Sequence, residues 1–489
     1  MAQEIRAKEP VDIGSRRELF LDDLLIDRLD KLERQLHHPV PQNVAITHDA
    51  AWEGTGSGYH CVFRDGQRYR MYYHGAELKL TGNHEAPVLC LAESEDGIRW
   101  SKPNLGLHEF KGSRENNIVM VSGPQHGIDL PIDASHVTVA LDENPAAASE
   151  ARYKAFAADK KGKGLYALGS PDGLKWHPLK AEMILTSGQY DSLNTFCWDP
   201  QAKIYRAYCR SWDAGEYRGI RTATSADFLT WSEFQPIEFE PAVAPQQLYT
   251  NGVRPYFRAP HLLVGLPTRY IERGWSDSMR ALPDLRDREE RAKNNLRYGT
   301  ALTDVLLMSS RDGRKFHRFD ETFLRPGPER PGTWNYGQQY VAWQMVETKS
   351  PLDDQVPELS FYSTERYWHG PGTVLRRYSL RLDGFVSLHA AWQEGELVTR
   401  PFRFAGTRLE LNFATSAAGG LRVEIQDPSG KPIPGYTLAD CPELFGDALA
   451  RTVSWKSSSD LAGLAGKPIR LRFVVRDADL FAIRFDSVN

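Results

Sequence analysis

The sequence predicts an all-β protein: a five-bladed β-propeller followed by a C-terminal β-sandwich. A repeated stretch carries the first half of that prediction. Ser94-Glu95-Asp96-Gly97-Ile98-Arg99-Trp100 returns as Ser170-Pro171-Asp172-Gly173-Leu174-Lys175-Trp176 and as Ser310-Arg311-Asp312-Gly313-Arg314-Lys315-Phe316. A degenerate copy, Ser225-Ala226-Asp227-Phe228-Leu229-Thr230-Trp231, lies between the last two. Asp-Gly is a tight-turn signal, and the aromatic three residues after the glycine is placed to begin a strand and pack beneath the turn. Each copy follows an apolar or alternating run, such as Val88-Leu89-Cys90-Leu91-Ala92 or Val305-Leu306-Leu307-Met308. Strand, turn and strand at blade-sized intervals are how a propeller shows itself in sequence. The second half rests on a change near Pro401, after which strands alternate cleanly between apolar and polar residues.

Taken in order, residues 18–26 read as one strand carrying the acidic pair Asp22 and Asp23. A strand so far ahead of the first repeat needs a partner, and joining the last blade would close the ring. Residues 1–45 are therefore assigned to this strand and a polar, His-rich connector, 46–395 to the propeller and 396–489 to the sandwich. Blade one opens with 58–63 and 69–73 around the turn Arg64-Asp65-Gly66-Gln67. Blade two starts near Asp133, blade three at Asp191, blade four at Tyr249-Thr250-Asn251, and blade five after Trp334-Asn335-Tyr336-Gly337. The pattern breaks at about 276–295, a charged stretch that reads as a helix inserted into blade four, placed for a rim or lid role over the mouth of the propeller. Beyond 401, the runs 409–413, 421–425, 452–455, 469–475 and 480–485 alternate between Gly, Pro and Ser turns, as in a β-sandwich.

At 489 residues the chain is long enough for two or three well-filled domains. A formal charge of -4 gives no electrostatic reason to expect nucleic acid or an anionic membrane as a partner. No apolar run approaches membrane-spanning length. The five cysteines are scattered and form no CxxC pair, so neither a disulfide framework nor a zinc site is indicated. No metal or cofactor is expected: there is no HExxH and no phosphate-cradling glycine loop, and GxSxG is missing as well. Nothing in the composition indicates an oligomer. Met1-Ala2-Gln3-Glu4 fits a start codon fused to a processed N-terminus. The location is then secreted or periplasmic if a signal peptide was removed, and cytoplasmic otherwise. Twelve Trp, 20 Tyr and 21 Phe suit blade packing and also suit stacking on sugar rings.

In a propeller the residues leading into the innermost strands converge at one end of the axis. Those positions hold Trp52 and Glu53 on blade one, Asp133 on blade two, and Asp191 on blade three. Blade four offers Thr250 and Asn251, and blade five Trp334, Asn335 and Tyr336. Glu53, Asp133 and Asp191 facing polar and aromatic groups make a pocket for a carbohydrate. Glycoside hydrolysis needs one protonated and one ionised carboxyl group across the scissile bond, and a third acid can hold their pKa values apart. Asp22 and Asp23 compete for the same site if their strand closes the ring, since alternation sends them to opposite faces. His136 follows Asp133 closely enough to act as an acid or to bind substrate, and Arg254 and Arg269 could hold a carboxylate or sulfate.

With these pieces in place, the chain resembles the five-bladed propeller glycoside hydrolases related to families 32, 43 and 68. It is most similar to an uncharacterised bacterial group labelled "family 32 N-terminal-like", common in planctomycetes. The resemblance spans nearly the whole chain. It is carried by Leu19-Phe20-Leu21-Asp22-Asp23, Trp52-Glu53-Gly54, Tyr190-Asp191-Ser192-Leu193-Asn194, Gln247-Leu248-Tyr249-Thr250-Asn251, Arg325-Pro326-Gly327-Pro328-Glu329-Arg330, Val423-Glu424-Ile425-Gln426-Asp427 and Ala439-Asp440-Cys441. It implies an acid on blade one as base or nucleophile, an Asp on blade two as helper and an acid on blade three as general acid, which fall on Glu53, Asp133 and Asp191. Blade one has Glu where the relatives use Asp, and blade three has Asp where they use Glu. The Trp-Met-Asn-Asp-Pro-Asn-Gly, Arg-Asp-Pro and Glu-Cys signatures are absent, so fructan specificity does not carry over. The expectation is an exo-acting or short-oligosaccharide glycoside hydrolase. The alternatives are a non-catalytic carbohydrate-binding propeller and a glycan phosphorylase or lyase on the same fold.

Overall fold

The computed structural model describes residues 9–213, 217–353, 355–456 and 458–487; the Met1-Ala2-Gln3-Glu4 start lies outside them. The chain divides into two compact units, one of residues 39–380 and one of residues 1–38 with 381–489.

The first unit is the propeller. Blade one comprises Gly58–Asp65, Arg68–Leu78, His84–Ser94 and Ile118–Val121. Blade two comprises Ile132–Leu141, Tyr153–Asp159, Leu165–Ser170 and His177–Pro178. Blade three comprises Thr195–Asp199, Ile204–Asp213, Tyr217–Ser225 and Gln235–Pro236. Blade four comprises Arg254–Tyr256, Ala259–Gly265, Met308–Ser310 and Lys315–Arg318, with Glu238–Phe239 added in parallel at its outer edge. In blade five, Val346–Lys349, Pro357–Glu365 and Val374–Arg381 are completed by Val40–Thr47. The innermost strands meet at the axis, where Trp343 and Cys61 form a parallel bridge. Trp343 is fully buried there, and its indole N–H donates to the Val253 carbonyl of blade four (3.1 Å).

Ring closure differs from the sequence expectation. Residues 18–26 are not one strand. Glu18–Leu19 pairs with Arg470–Asp486 in the other unit, and Ile26–Asp30 is a separate strand pairing with Gly395–Thr399. Between them the chain turns, because the Asp22 carboxylate accepts the Leu24 N–H (3.0 Å) and the Ile26 N–H bonds the Asp23 carbonyl. The ring is closed instead by Val40–Thr47, antiparallel to Val374–Arg381, with Tyr378 opposite Pro41. Proline is tolerated there because the strand is the outermost of its blade and its outer side needs no donor.

The repeated turns share one geometry. Ser94 Oγ accepts the Gly97 N–H (2.8 Å), and Asp96 Oδ1 accepts from Ile98 (2.7 Å) and Arg99 (2.8 Å). The same bonds recur at Ser170/Asp172 and Ser310/Asp312. The repeated acid is thus consumed by backbone donors. The central residue takes φ of 70° at Gly97, 78° at Gly173 and Gly313, and 69° at Phe228, a left-handed conformation that glycine adopts without steric cost. These turns also bolt blade to blade. Tyr72 of blade one donates to the Gly173 carbonyl of blade two (3.0 Å), Tyr208 of blade three to Gly313 of blade four (2.9 Å), and Tyr362 of blade five to Gly97 of blade one. Blade two has Phe156 at the equivalent position, and it stacks on Phe228 of blade three (centroids 5.2 Å, 20°). One apolar pair replaces one hydrogen bond.

Blade four departs from the pattern at its second and third strands. They continue past Leu266-Pro267 and Leu306-Leu307 as the hairpin Thr268–Glu272 and Ala301–Val305. Between these strands lie α1 (Asp277–Ala281), α2 (Leu285–Asn294) and α3 (Leu296–Thr300). Arg288 and Arg291 of α2 are buried. Arg288 donates to the Pro283 and Trp334 carbonyls, and Arg291 to that of Trp368 (2.6 Å), so the insertion is tied to the loops of blade five.

The second unit is the sandwich. Arg408–Gln426 and Arg470–Asp486 pair along most of their lengths, with a bulge between Thr415 and Gly420. Val386–Ala390 and Gly395–Thr399 join Arg470–Asp486, so this unit begins ahead of residue 396. Alternating Leu409, Leu411 and Phe413 meet Phe473, Ile483 and Phe485 in its core.

Candidate active site

A cavity of about 370 Å³ opens at the end of the propeller where innermost strands begin, opposite the repeated turns. Every blade contributes. Blade one supplies Tyr59 and His84, blade two Asp133 and His136, and blade three Asp191. Tyr249 lies on the approach to blade four, Arg297 and Tyr298 come from α3, and Tyr336, Tyr367 and Trp368 come from blade five.

Two bulges aim side chains into it. Pairing slips between Asp133 and Val137, and a tight local network forms in the slip. Asp133 Oδ1 accepts from the Ser135 N–H (2.9 Å) and hydroxyl (2.6 Å), and Oδ2 lies 3.0 Å from His136 Nδ1. Burial alone would raise the Asp133 pKa, but His136 and the Ser135 donors outweigh it and hold the group well below the usual carboxylate range. An ionised Asp133 keeps a proton on Nδ1 of His136, and Nε2 has no partner among the described residues. The second bulge lies between Gly58 and Cys61, where Tyr59 takes φ of 48°. A left-handed tyrosine inside a strand costs on the order of 1 kcal/mol and persists only where its surroundings hold it. Its ring stacks on Tyr340 (6.3 Å) and lies 5.7 Å from His136.

Across the cavity, Asp191 is 63% exposed and lies 3.0 Å from Nη1 of the buried Arg210. Arg210 in turn covers the ring of Tyr249 at 4.6 Å, and the Tyr249 hydroxyl is 3.2 Å from that of Tyr336. Burial pushes the Tyr249 pKa up, yet Arg210, the Tyr336 hydroxyl and Arg218 together bring it below the ordinary value. His84, pushed down to about 4 by burial and then by His136, is neutral at pH 7. Among the described residues no group of three His, Cys, Asp or Glu side chains could hold a metal.

Asp133, His136, Asp191 and Tyr336 are therefore brought together as the sequence suggested, and the other named residues are not. Glu53 lies outside the cavity, its side chain fully buried. It accepts from the Tyr73 hydroxyl (2.6 Å), Lys102 Nζ (2.6 Å) and the Ala50 N–H (2.9 Å), which anchors the loop ahead of blade one. Trp52 belongs to the same network: its indole N–H donates to Asn117 (2.8 Å), which bonds Tyr73. Asn251 is used up stitching blades three and four, bonding Thr195, Val253 and the Leu193 and Tyr208 carbonyls. Arg254 pairs with Glu143 beside a second cavity of about 320 Å³, lined by the far ends of innermost strands. Arg269 is spent on a bidentate pair with Asp304 (2.8 and 2.6 Å). Trp334 turns away, its N–H bonding the Gly327 carbonyl (2.8 Å). Asp22 and Asp23 lie in the sandwich unit, where Asp23 pairs with Arg34.

Tyr59, His84, Arg210, Arg297, Tyr298, Tyr367 and Trp368 were not singled out from the sequence. Arg297 and Tyr298 end the helical insertion, and that interruption of the blade repeat was the available signal for them.

No protein family matches the sequence, and no curated protein does. Solved structures similar to the chain include a protein described as a glycoside hydrolase (11% identity, TM-score 0.43, covering 70% of this chain and 92% of that one). Another is a fructofuranosidase from Schwanniomyces occidentalis, solved with fructosylnystose (10% identity, TM-score 0.42, covering 90% and 96%). A third is an endo-arabinase from Bacteroides thetaiotaomicron (11% identity, TM-score 0.40, covering 69% and 98%). At such identities no residue role transfers from them. The chain is an all-β propeller-and-sandwich protein distantly similar in structure to glycoside hydrolases, with no family assigned at the level of sequence.

Proposed function

We propose that the axial cavity is the active site of a glycoside hydrolase acting on the end of a glycan chain. The observation that supports this most is the meeting of the His136–Asp133 pair with the Asp191 carboxylate in one aromatic-walled cavity. His136, oriented through Nδ1 by Asp133, is the general acid: protonated at Nε2, it delivers that proton to the departing glycosidic oxygen. Asp191 acts on the anomeric carbon, as base on a water or as nucleophile, with Arg210 holding the carboxylate in place. Tyr59 lines the cavity beside His136, and closure of the axis by Trp343 suits a pocket rather than a through-channel. Release of reducing ends from a panel of plant and marine oligosaccharides, with His136→Asn and Asp191→Asn as controls, tests the reading. Cleavage that survives both substitutions overturns it.

A second reading has one observation in its favour. Tyr249, half-buried against Arg210 and with its pKa brought down, has the character of a base for β-elimination from a uronic acid. A lyase leaves an unsaturated product absorbing in the ultraviolet and consumes no water, so the same panel separates the two.

A further inference from the structure

The charges lining the cavity do not balance locally. Asp133 faces His136 and Asp191 faces Arg210, but Arg297 has no carboxylate within ion-pair distance among the described residues. Its surroundings are the side chains of Tyr270, Tyr298 and Tyr336, and its guanidinium lies 5.1 Å from the Tyr298 ring centroid. A second donor waits in the same corner. Trp368 is 6% exposed and lines the cavity, packs 4.8 Å from Tyr298, and its buried indole N–H has no hydrogen-bond partner among the described residues. A buried donor left unmade is costly, and an acceptor-rich ligand group would remove that cost.

The corner is built, not incidental. Asn295 accepts the Arg297 N–H at the start of α3, and α2 is pinned to the Trp368 carbonyl by Arg291. Gly82 of blade one, at φ of 86°, passes so close that a Cβ there would meet the Tyr298 hydroxyl at 2.5 Å. The insertion, the first-blade hairpin and the Trp368 loop therefore bring a cation without a carboxylate partner and an indole with an unmade N–H to the same corner of the cavity.

We infer that Arg297 and the Trp368 indole N–H form a subsite for an anionic substituent, a carboxylate or a sulfate, on the sugar bound in this cavity. This rests on the proposed reading of the cavity as a glycan site. Arg254 and Arg269, the cations expected from sequence for this task, are already neutralised by Glu143 and Asp304.

Binding tests it independently of cleavage. Oligogalacturonides, glucuronoxylan fragments and sulfated galactan oligosaccharides would be titrated calorimetrically against their carboxyl-reduced or desulfated counterparts. At least one acidic member should bind tenfold or more tighter than its neutral twin, and which pair responds separates carboxylate from sulfate. Arg297→Gln should collapse that ratio to within about twofold, Arg297→Lys should keep part of it, and Trp368→Phe should lower acidic-sugar affinity about three- to tenfold. Unchanged thermal midpoints would show that the variants fold. A ratio near one in the native protein, a ratio that survives Arg297→Gln, or failure of every acidic member to bind overturns the subsite. Acidic sugars that bind without being cleaved overturn only the hydrolase reading; neutral glycans cleaved with no preference for charge overturn only the subsite.

Discussion

His136 Nδ1 and Asp133 Oδ2 stand 3.0 Å apart across a β-bulge, with the Ser135 hydroxyl within 2.9 Å of the same nitrogen. The bulge is what makes the pair. In a regular strand, residues three apart point to opposite faces, whereas the slip folds both side chains towards one cavity. Replacing Asp133 by Asn presents a neutral amide to Nδ1 and frees the imidazole to change tautomer. Turnover should fall about 10²- to 10⁴-fold while substrate affinity changes little, read as kcat against KM. Equal losses in both would point to a general collapse of the site.

Asp191→Gly should abolish cleavage of natural glycosides by about 10³-fold or more. Added azide then reports the stereochemistry. Recovery of a glycosyl azide with an activated aryl glycoside shows which face of the anomeric carbon Asp191 serves. No loss of turnover on this substitution removes Asp191 from the mechanism.

Glu53 should matter to stability and not to chemistry. Burial would raise its pKa, but His48 and Lys102 bring it from 4.5 down to about 2. A pKa depressed on folding stabilises the folded state above the unfolded value, and that gain is lost as pH falls. Glu53 should therefore contribute about 3 kcal/mol at neutral pH, fading between pH 4.5 and about 2. Denaturant titrations of Glu53→Gln across that window should show the gap from the native protein closing as pH falls. A constant gap would refute the assignment.

The apolar substitute for a tyrosine bolt is testable as a pair. Phe228→Gly relieves a left-handed phenylalanine but empties a fully buried site, and should cost about 3 kcal/mol. Phe156→Tyr alone buries a hydroxyl without a partner. The double variant recreates the Tyr–Gly bond seen between three other blade pairs and should recover more than half of the summed loss. Simple additivity in a double-mutant cycle would show that the two positions do not exchange roles.

The repeated Ser-x-Asp-Gly turn was legible because its chemistry is local: one hydroxyl, one carboxylate and one left-handed residue within four positions. From its phase the blades followed, and with them the leading positions that hold Asp133 and Asp191. Ring closure was not legible. Val40-Pro41-Gln42-Asn43 shows no alternation, since an outer edge strand is held by its partner's backbone and not by a buried face. Glu53 misled for a related reason. An acid before a strand reads the same whether it caps a loop or faces a cavity, and only the long-range approach of Tyr73 and Lys102 decides. Tyr59 depends on a bulge, which shifts register without altering composition, and Arg297 lies just past the charged stretch 276–295, which marks the insertion but not the side chain that faces the cavity.

The chain enters and leaves the propeller through the same blade, so the sandwich unit is assembled from both ends of the sequence. Ile26–Asp30 and Glu33–Leu36 pair with Gly395–Thr399 and Val386–Ala390, and Glu18–Leu19 pairs with Arg470–Asp486. On the ribosome those first strands emerge roughly 20–100 s before their partners exist, at typical elongation speeds for 489 residues. Val40–Thr47 waits almost as long for Val374–Arg381. Neither unit can be completed during synthesis until its last strands appear, while the apolar run Leu19-Phe20-Leu21 stays uncovered throughout. Folding of either unit therefore cannot proceed strictly from the N-terminus, because its first strands are completed only by partners that come hundreds of residues later.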